Sequence, residues 1–229
     1  MVAYILAGVL LCVYTGAGHT DFVIIRPPTD DASVTKLVPS YTDDNNLYVG
    51  GTSADTAWRS LIRFDTRDSL LDGKTPQAIQ VYLDLNYIDL GSGDPVWAID
   101  LYRAETASWT EDGVTWNTQP GTVGDPLDTY TWSGGETEGD TLTWDISTGF
   151  AETGDFSMLL KAANETALDD TRVGFATKED YPGTDRDPYI KITYEDGEVP
   201  EVPEPSTLCL IGAGVAALIA YRRRHKSTG

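Results

Sequence analysis

The chain is predicted to be all-β, an antiparallel β-sandwich of the jelly-roll type with about nine strands. Three observations predict it. In the stretch AIQVYLDLNYI, Ile79, Val81, Leu83 and Leu85 share one face while Gln80, Tyr82, Asp84 and Asn86 share the other, the period of a sheet with one buried side. Similar short runs recur between clusters of Gly, Pro, Asp and Asn, the residues that make turns. Between the two ends, no stretch repeats its apolar residues at helical spacing.

Residues 1–20 open with MVAYILAGVLLCVYTGAG, which is apolar and uncharged, has small residues near its end and gives way to the polar His19 and Asp21. That pattern predicts an export signal, although the basic residues that usually precede such a core are missing. A buried first strand or helix is the alternative. Residues 21–196, about 175 in all, are predicted to form one sandwich domain, a length that supports its own core. Its expected strands are Phe22–Ile25, Leu47–Val49, Leu61–Phe64, the stretch quoted above, Val96–Tyr102, Leu142–Ile146, Ser157–Leu160, Val173–Ala176 and Tyr189–Tyr194. The segment Thr122–Thr141, rich in Gly, Asp and Thr, reads as a polar insert.

Residues 197–205 are a Pro and Glu spacer that would hold the domain off a surface. Residues 206–229 carry apolar and small residues from Thr207 to Tyr221, then Arg222, Arg223, Arg224 and Lys226. As a helix, those roughly 15 residues rise about 22 Å, short of the ~30 Å hydrocarbon core, so they would span a membrane only by tilt or local thinning. The basic cluster would stay on the cytoplasmic side. In its order of Pro203-Glu204-Pro205, apolar segment and arginines, this end resembles the PEP-CTERM sorting signal of bacterial surface proteins. The resemblance implies a protein held in the membrane through this segment until an exosortase-like enzyme processes it. Its destination would be the bacterial cell surface, outer envelope or extracellular matrix. An ordinary C-terminal anchor is the alternative.

Composition narrows the function. Against 36 acidic residues stand 16 basic ones, a formal net charge of -20, and such a surface repels phosphate backbones, so nucleic acid is not an expected partner. The acids cluster in pairs, and Asp30, Asp31, Asp180, Asp185 and Asp187 are candidate ligands for calcium, which takes several oxygens from loops. A solvated acidic surface explains the same pairs. Cys12 and Cys209 both lie in the end segments, which leaves the domain without a disulfide. His19 and His225 lie there too, so the domain has neither an imidazole base nor a Cys/His zinc site. Glycosidases hold two carboxylates about 5–10 Å apart, whereas the neighbours Glu111 and Asp112 precede a glycine in an ordinary turn signal; catalysis is not expected.

The stretch SWTEDGVTWNTQPG holds Trp109 and Trp116, both expected to pack at a corner of the fold rather than to meet sugar. Trp97, Tyr130 and Trp132 are the aromatic candidates for sugar stacking, the last two because they lie in the polar insert. Arg63 is expected either to meet an acidic sugar through its planar fork or to form an internal ion pair.

Three stretches, NNLYVGGTSADTAWRSLIRFD, YRAETASWTEDGVTWNTQPG and FSMLLKAANE with VGFATKED and DPYIKITY, resemble the DNRLRE family of carbohydrate-binding modules. The pattern falls on Leu47 to Gly50, Arg59 to Asp65, Trp109 to Glu111, Val114 to Asn117, Trp144-Asp145 and Pro188-Tyr189. The resemblance implies a jelly roll in secreted proteins, binding to acidic or neutral glycans in some members, and an association with calcium. The expectation is therefore a non-catalytic exported protein that binds extracellular polysaccharide. A structural or adhesive protein without glycan affinity is the second reading.

Overall fold

The computed structural model describes residues 20–39, 42–43, 46–67, 76–90, 97–150, 154–167, 170–179 and 186–195. Thr20–Glu195 forms one compact unit. Twelve strands occur among the described residues: β1 (Thr20–Ile25), β2 (Asp30–Thr35), β3 (Thr42–Asp43), β4 (Leu47–Gly51), β5 (Trp58–Asp65), β6 (Pro76–Leu90), β7 (Ala98–Ala104), β8 (Thr122–Thr131), β9 (Thr141–Asp145), β10 (Asp155–Ala162), β11 (Thr171–Phe175) and β12 (Tyr189–Glu195). The only helical element described is one 3-10 turn, Glu165–Ala167. The predicted jelly-roll sandwich is what the chain forms.

Every strand pairing among the described residues is antiparallel, and the strands make two layers. The smaller layer runs β1, β12, β6, β9, while the larger runs β6, β11, β4, β5, β10, β7, β8, with β2 also on β5 and β3 on β2. β6 belongs to both. Its first part pairs with β12 and β9, and its last residues pair with β11.

Alternation builds the core. Ile79, Val81, Leu83 and Leu85 of β6 meet Leu47, Val49, Ile62, Phe64, Ile99, Leu101, Met158, Leu160, Val173 and Phe175 across the layers. A fully buried leucine, valine or phenylalanine contributes roughly 1.5–3 kcal/mol by leaving water, so this layer dominates the stability of the fold. At its centre Trp144 is wholly buried, packs edge-on to Phe175 at 5.9 Å and donates its indole N–H to the Ile99 carbonyl at 3.2 Å. That bond satisfies the one polar atom the ring brings into the core.

Three strands, β2, β3 and β8, go beyond those expected. β2 contains Asp31, Ser33 and Thr35, polar residues that hide a strand from a hydrophobicity reading, yet all three are buried. Ser33 makes this tolerable by bonding the Ser60 hydroxyl at 3.0 Å and the Asn46 carbonyl at 2.8 Å. The supposed insert supplies β8, which pairs with β7 from Ala98↔Thr131 to Ala104↔Thr122.

Candidate functional site

The outer face of the larger layer has a half covered by a loop and a half that no loop covers among the described residues, here called open. Ser108–Gly121 forms the cover. Thr110 begins a tight turn in which its carbonyl accepts the N–H groups of Gly113 and Val114 at 3.0 and 2.9 Å, and Thr115 begins a second one toward Thr118 and Gln119. These turns lay Trp109 and Val114 onto Ala32, Val34, Leu61 and Leu159 as a separate small core. Trp109 donates its indole N–H to Ser157 Oγ at 2.7 Å. Trp116 stands at the rim, with the Arg59 guanidinium 4.4 Å above its ring and bonded through two nitrogens to Glu165, each at 2.7 Å. Both tryptophans are therefore packing residues, as expected.

The open half lies over β4, β11 and the end of β6. Here Gly174 is paired with Tyr48 on one side and Tyr87 on the other. A Cβ on Gly174 would sit 2.9 Å from Tyr48 Cε1 and 3.1 Å from Tyr87 Cβ, so the glycine leaves the space through which the two rings meet edge to face at 5.8 Å. Trp58 closes on Tyr48 at 5.2 Å. Gly50, two residues beyond Tyr48, has φ +110, and a Cβ there would lie 2.1 Å from the Thr171 carbonyl, so β4 can approach β11 this closely only with glycine.

Tyr87 reaches this face because β6 carries a bulge. Phe175 pairs with Leu85 and Gly174 with Tyr87, leaving Asn86 as the extra residue. Such a bulge re-aims the side chains that follow it. The phase change can be read in the sequence, since the apolar positions run 79, 81, 83, 85 and then 88, 90.

Arg172 lies over both tyrosines, 4.9 Å from the Tyr48 ring and 5.1 Å from the Tyr87 ring. It donates to the Tyr87 hydroxyl at 3.1 Å, and Tyr87 in turn donates to Asp89 at 3.1 Å. Among the described residues no ion pair engages this guanidinium. It lines a groove of about 160 Å³ with Leu37, Thr52, Trp58, Asp89 and Asp170. Asp170 has φ +50, a conformation uncommon outside glycine and one that recurs at ligand sites.

The expected sugar contacts lie elsewhere. Trp97 and Trp132 are only 7% and 6% exposed and pack against each other at 5.8 Å in the main core. The expectation of exposed faces therefore fails for both, because pairing of β8 with β7 folds the polar segment onto the sandwich. Tyr130 is half-buried between Trp132 and Trp144, and its hydroxyl donates to Glu136 at 2.7 Å. Burial pushes Glu136 upward, but hydrogen bonds from Ser133 and Tyr130 outweigh it and bring the carboxyl down to about 2. Arg63 is held internally by Asp30, Thr29 Oγ1 and the carbonyls of Ala107 and Trp109. This is the ion-pair alternative, and it clamps the covering loop to β5.

Of the candidate calcium ligands, Asp30 is engaged by Arg63, and Asp180 and Asp185 lie outside the described residues. Asp187 stands just before β12. Asp31 instead joins Glu111 and Glu179, whose ligand oxygens all lie within 4.8 Å of one another. Burial pushes Asp31 up to about 8, against the pull of the Lys178 backbone N–H that it accepts at 2.9 Å. Glu111 and Glu179 come from stretches far from Asp31 in sequence, and no spacing rule connects the three.

Comparison with known families covers nearly all of this unit and the tail behind it. The model of carbohydrate-binding module family 96 matches residues 25–194, and a PEP-CTERM protein-sorting motif matches residues 201–224. No curated protein matches the chain. The sorting motif marks the chain as exported, to the cell surface or beyond.

Proposed function

The chain belongs to carbohydrate-binding module family 96, and on that premise we propose that it holds extracellular polysaccharide, without cutting it, in the groove of Trp58, Asp89, Asp170 and Arg172. The carrying observation is that aromatic side chains and a guanidinium that has no ion partner among the described residues stand side by side along one groove. Glycan sites need both features. An apolar wall takes the C–H face of a sugar ring, and a few fixed polar groups choose its orientation. Tyr48 and Tyr87 hold Arg172 in place, which reduces the entropy lost when its remaining donors engage a ligand. Those donors suit a sugar carboxylate or a pair of ring hydroxyls. Asp89 and Asp170 are acceptors for further hydroxyls.

A binding role without bond cleavage accords with the placement of Glu111. Its carboxylate is ion-paired with Lys178 under the covering loop, while its neighbour Asp112 is exposed. We also infer that an exosortase-like enzyme removes the tail around residues 201–224; mass spectrometry of the secreted protein reads this directly.

The test is isothermal titration of residues 20–195 against neutral and uronic-acid polysaccharides. Saturable heat that is lost in both Trp58→Ala and Arg172→Ala, with unchanged melting temperature, supports the groove. A folded protein that is silent across the panel overturns it in favour of the structural or adhesive reading. Binding that survives both substitutions moves the glycan to another face.

A further inference from the structure

Asp31 is fully buried in β2, and its Oδ1 has no hydrogen-bond partner. Thr177 Oγ1, beside Lys178, is likewise buried and unpartnered. Buried polar atoms are almost always satisfied, so an orphaned carboxylate oxygen calls for an ordered water or an ion. The same carboxylate belongs to a cluster in which Asp31, Glu111 and Glu179 each offer one oxygen within 4.8 Å of the others. Calcium binds oxygen at about 2.3–2.6 Å, so two ligands on opposite sides of one ion stand roughly 4.6–5.2 Å apart and adjacent ones nearer. The spread of this cluster suits a common central ion.

A cation is already drawn into the cluster. The Lys178 ammonium pairs with Glu111, lies 3.2 Å from Glu179 and donates to the Thr29 carbonyl at 3.2 Å. Glu111 and Glu179 against one ammonium leave one formal negative charge in excess, and Asp31 adds a second when it ionises, the form that a bound cation favours. The neighbouring Asp30 adds none, because Arg63 neutralises it. The donors are all hard oxygens, which calcium takes and which soft metals do not favour. Calcium, the ion expected from the sequence, thus fits residues present here, although in a different set from the one expected.

We propose that Asp31, Glu111 and Glu179 form a calcium-class cation site, and that the Lys178 side chain is the counter-ion the metal displaces. Each ligand comes from a different part of the chain: Asp31 from β2, Glu111 from the covering loop and Glu179 from the segment after β11. The bound ion ties the loop to the sheet beneath it. The site is separate from the groove at Arg172, so its occupancy is read from heat and stability without any glycan.

The experiment is calorimetric titration of calcium chloride into the chelator-treated full chain in detergent, with melting curves alongside. The expected result is saturable binding and a melting temperature that rises with calcium. Asp31→Asn and Glu179→Gln each weaken binding roughly tenfold or more, because ligand charge sets affinity. Glu179 is exposed, so its amide variant keeps the fold even if the change at buried Asp31 does not. Lys178→Met tightens binding by removing the competing ammonium. Absence of saturable binding up to about 10 mM calcium, beyond the range of weak extracellular modules, overturns the site. Binding unaffected by Glu179→Gln overturns the ligand assignment, and an unchanged affinity in Lys178→Met overturns the displacement.

Discussion

The two halves of one sheet face are built from the same materials and finished differently. Over β2, β5 and β10, tryptophans and arginines are sealed: Trp109 bonds Ser157, and Arg63 and Arg59 end in carboxylates. Over β4, β11 and the end of β6, Tyr48, Tyr87 and Trp58 gather around Arg172, but no loop covers them and no carboxylate closes the guanidinium among the described residues. The difference teaches that residue type does not separate a sealed face from an available one here. What separates them is whether a second layer arrives to consume the polar groups.

If the covered half carries stability, breaking it should unfold the protein and breaking the open half should not. Trp109→Ala removes the centre of the small outer core and is expected to cost about 3–5 kcal/mol in urea denaturation. Arg63→Ala leaves Asp30 partly buried without its partner, and a loss of about 3 kcal/mol is expected by the same measurement. In the open half, Gly174→Val should push Tyr48 and Tyr87 apart, weakening polysaccharide binding about tenfold or more while lowering stability by only about 1–2 kcal/mol. A Gly174→Val protein that binds as well as the parent would show that the tyrosine pair does not shape the groove. Tyr87→Phe removes only the hydroxyl linking Arg172 to Asp89 and should weaken binding by roughly fivefold, for a loss of about 1 kcal/mol is at the low end for hydrogen bonds to charged groups.

The smallest effect concerns a third region and serves as a control. Glu136 titrates lower in the fold than its ordinary value of 4.5, at about 2. Its contribution is therefore fully present above pH 4.5 and is lost as pH falls toward 2. The group is only partly buried and stays screened by solvent, so Glu136→Gln should move the melting temperature by no more than about 2 °C at pH 7 and by less at pH 2. A larger shift would place a main support of the fold in the loop after β8, outside both halves of that sheet face.

Sequence periodicity carried the core. Ile79 to Leu85 alternate because one face of a sheet excludes water, and that regularity is local enough to read along the chain. It failed where polar residues are buried with partners. β2 was hidden by Asp31, Ser33 and Thr35, whose burial depends on Lys178 and Ser60, residues brought to them only by strand pairing. The site escaped for a similar reason. The phase change between Leu85 and Ile88 is visible in the letters, but it becomes a bulge that turns Tyr87 outward only when β11 sets Gly174 against it. Trp97 and Trp132 show the converse error, since polar neighbours predicted exposure and the pairing of β7 with β8 supplied a cover.

By itself, then, the sequence determined the fold class, the C-terminal sorting motif, the excess of acidic residues and the packing role of Trp109 and Trp116, because each follows from local order, charge or spacing. Only the tertiary structure decided which aromatics are buried, that Arg63 is paired with a carboxylate while Arg172 meets none among the described residues, and that Asp31, Glu111 and Glu179 meet. Those outcomes rest on contacts between residues tens to more than a hundred positions apart, where burial and partner geometry set the energy of a polar group and adjacency along the chain carries no information about either.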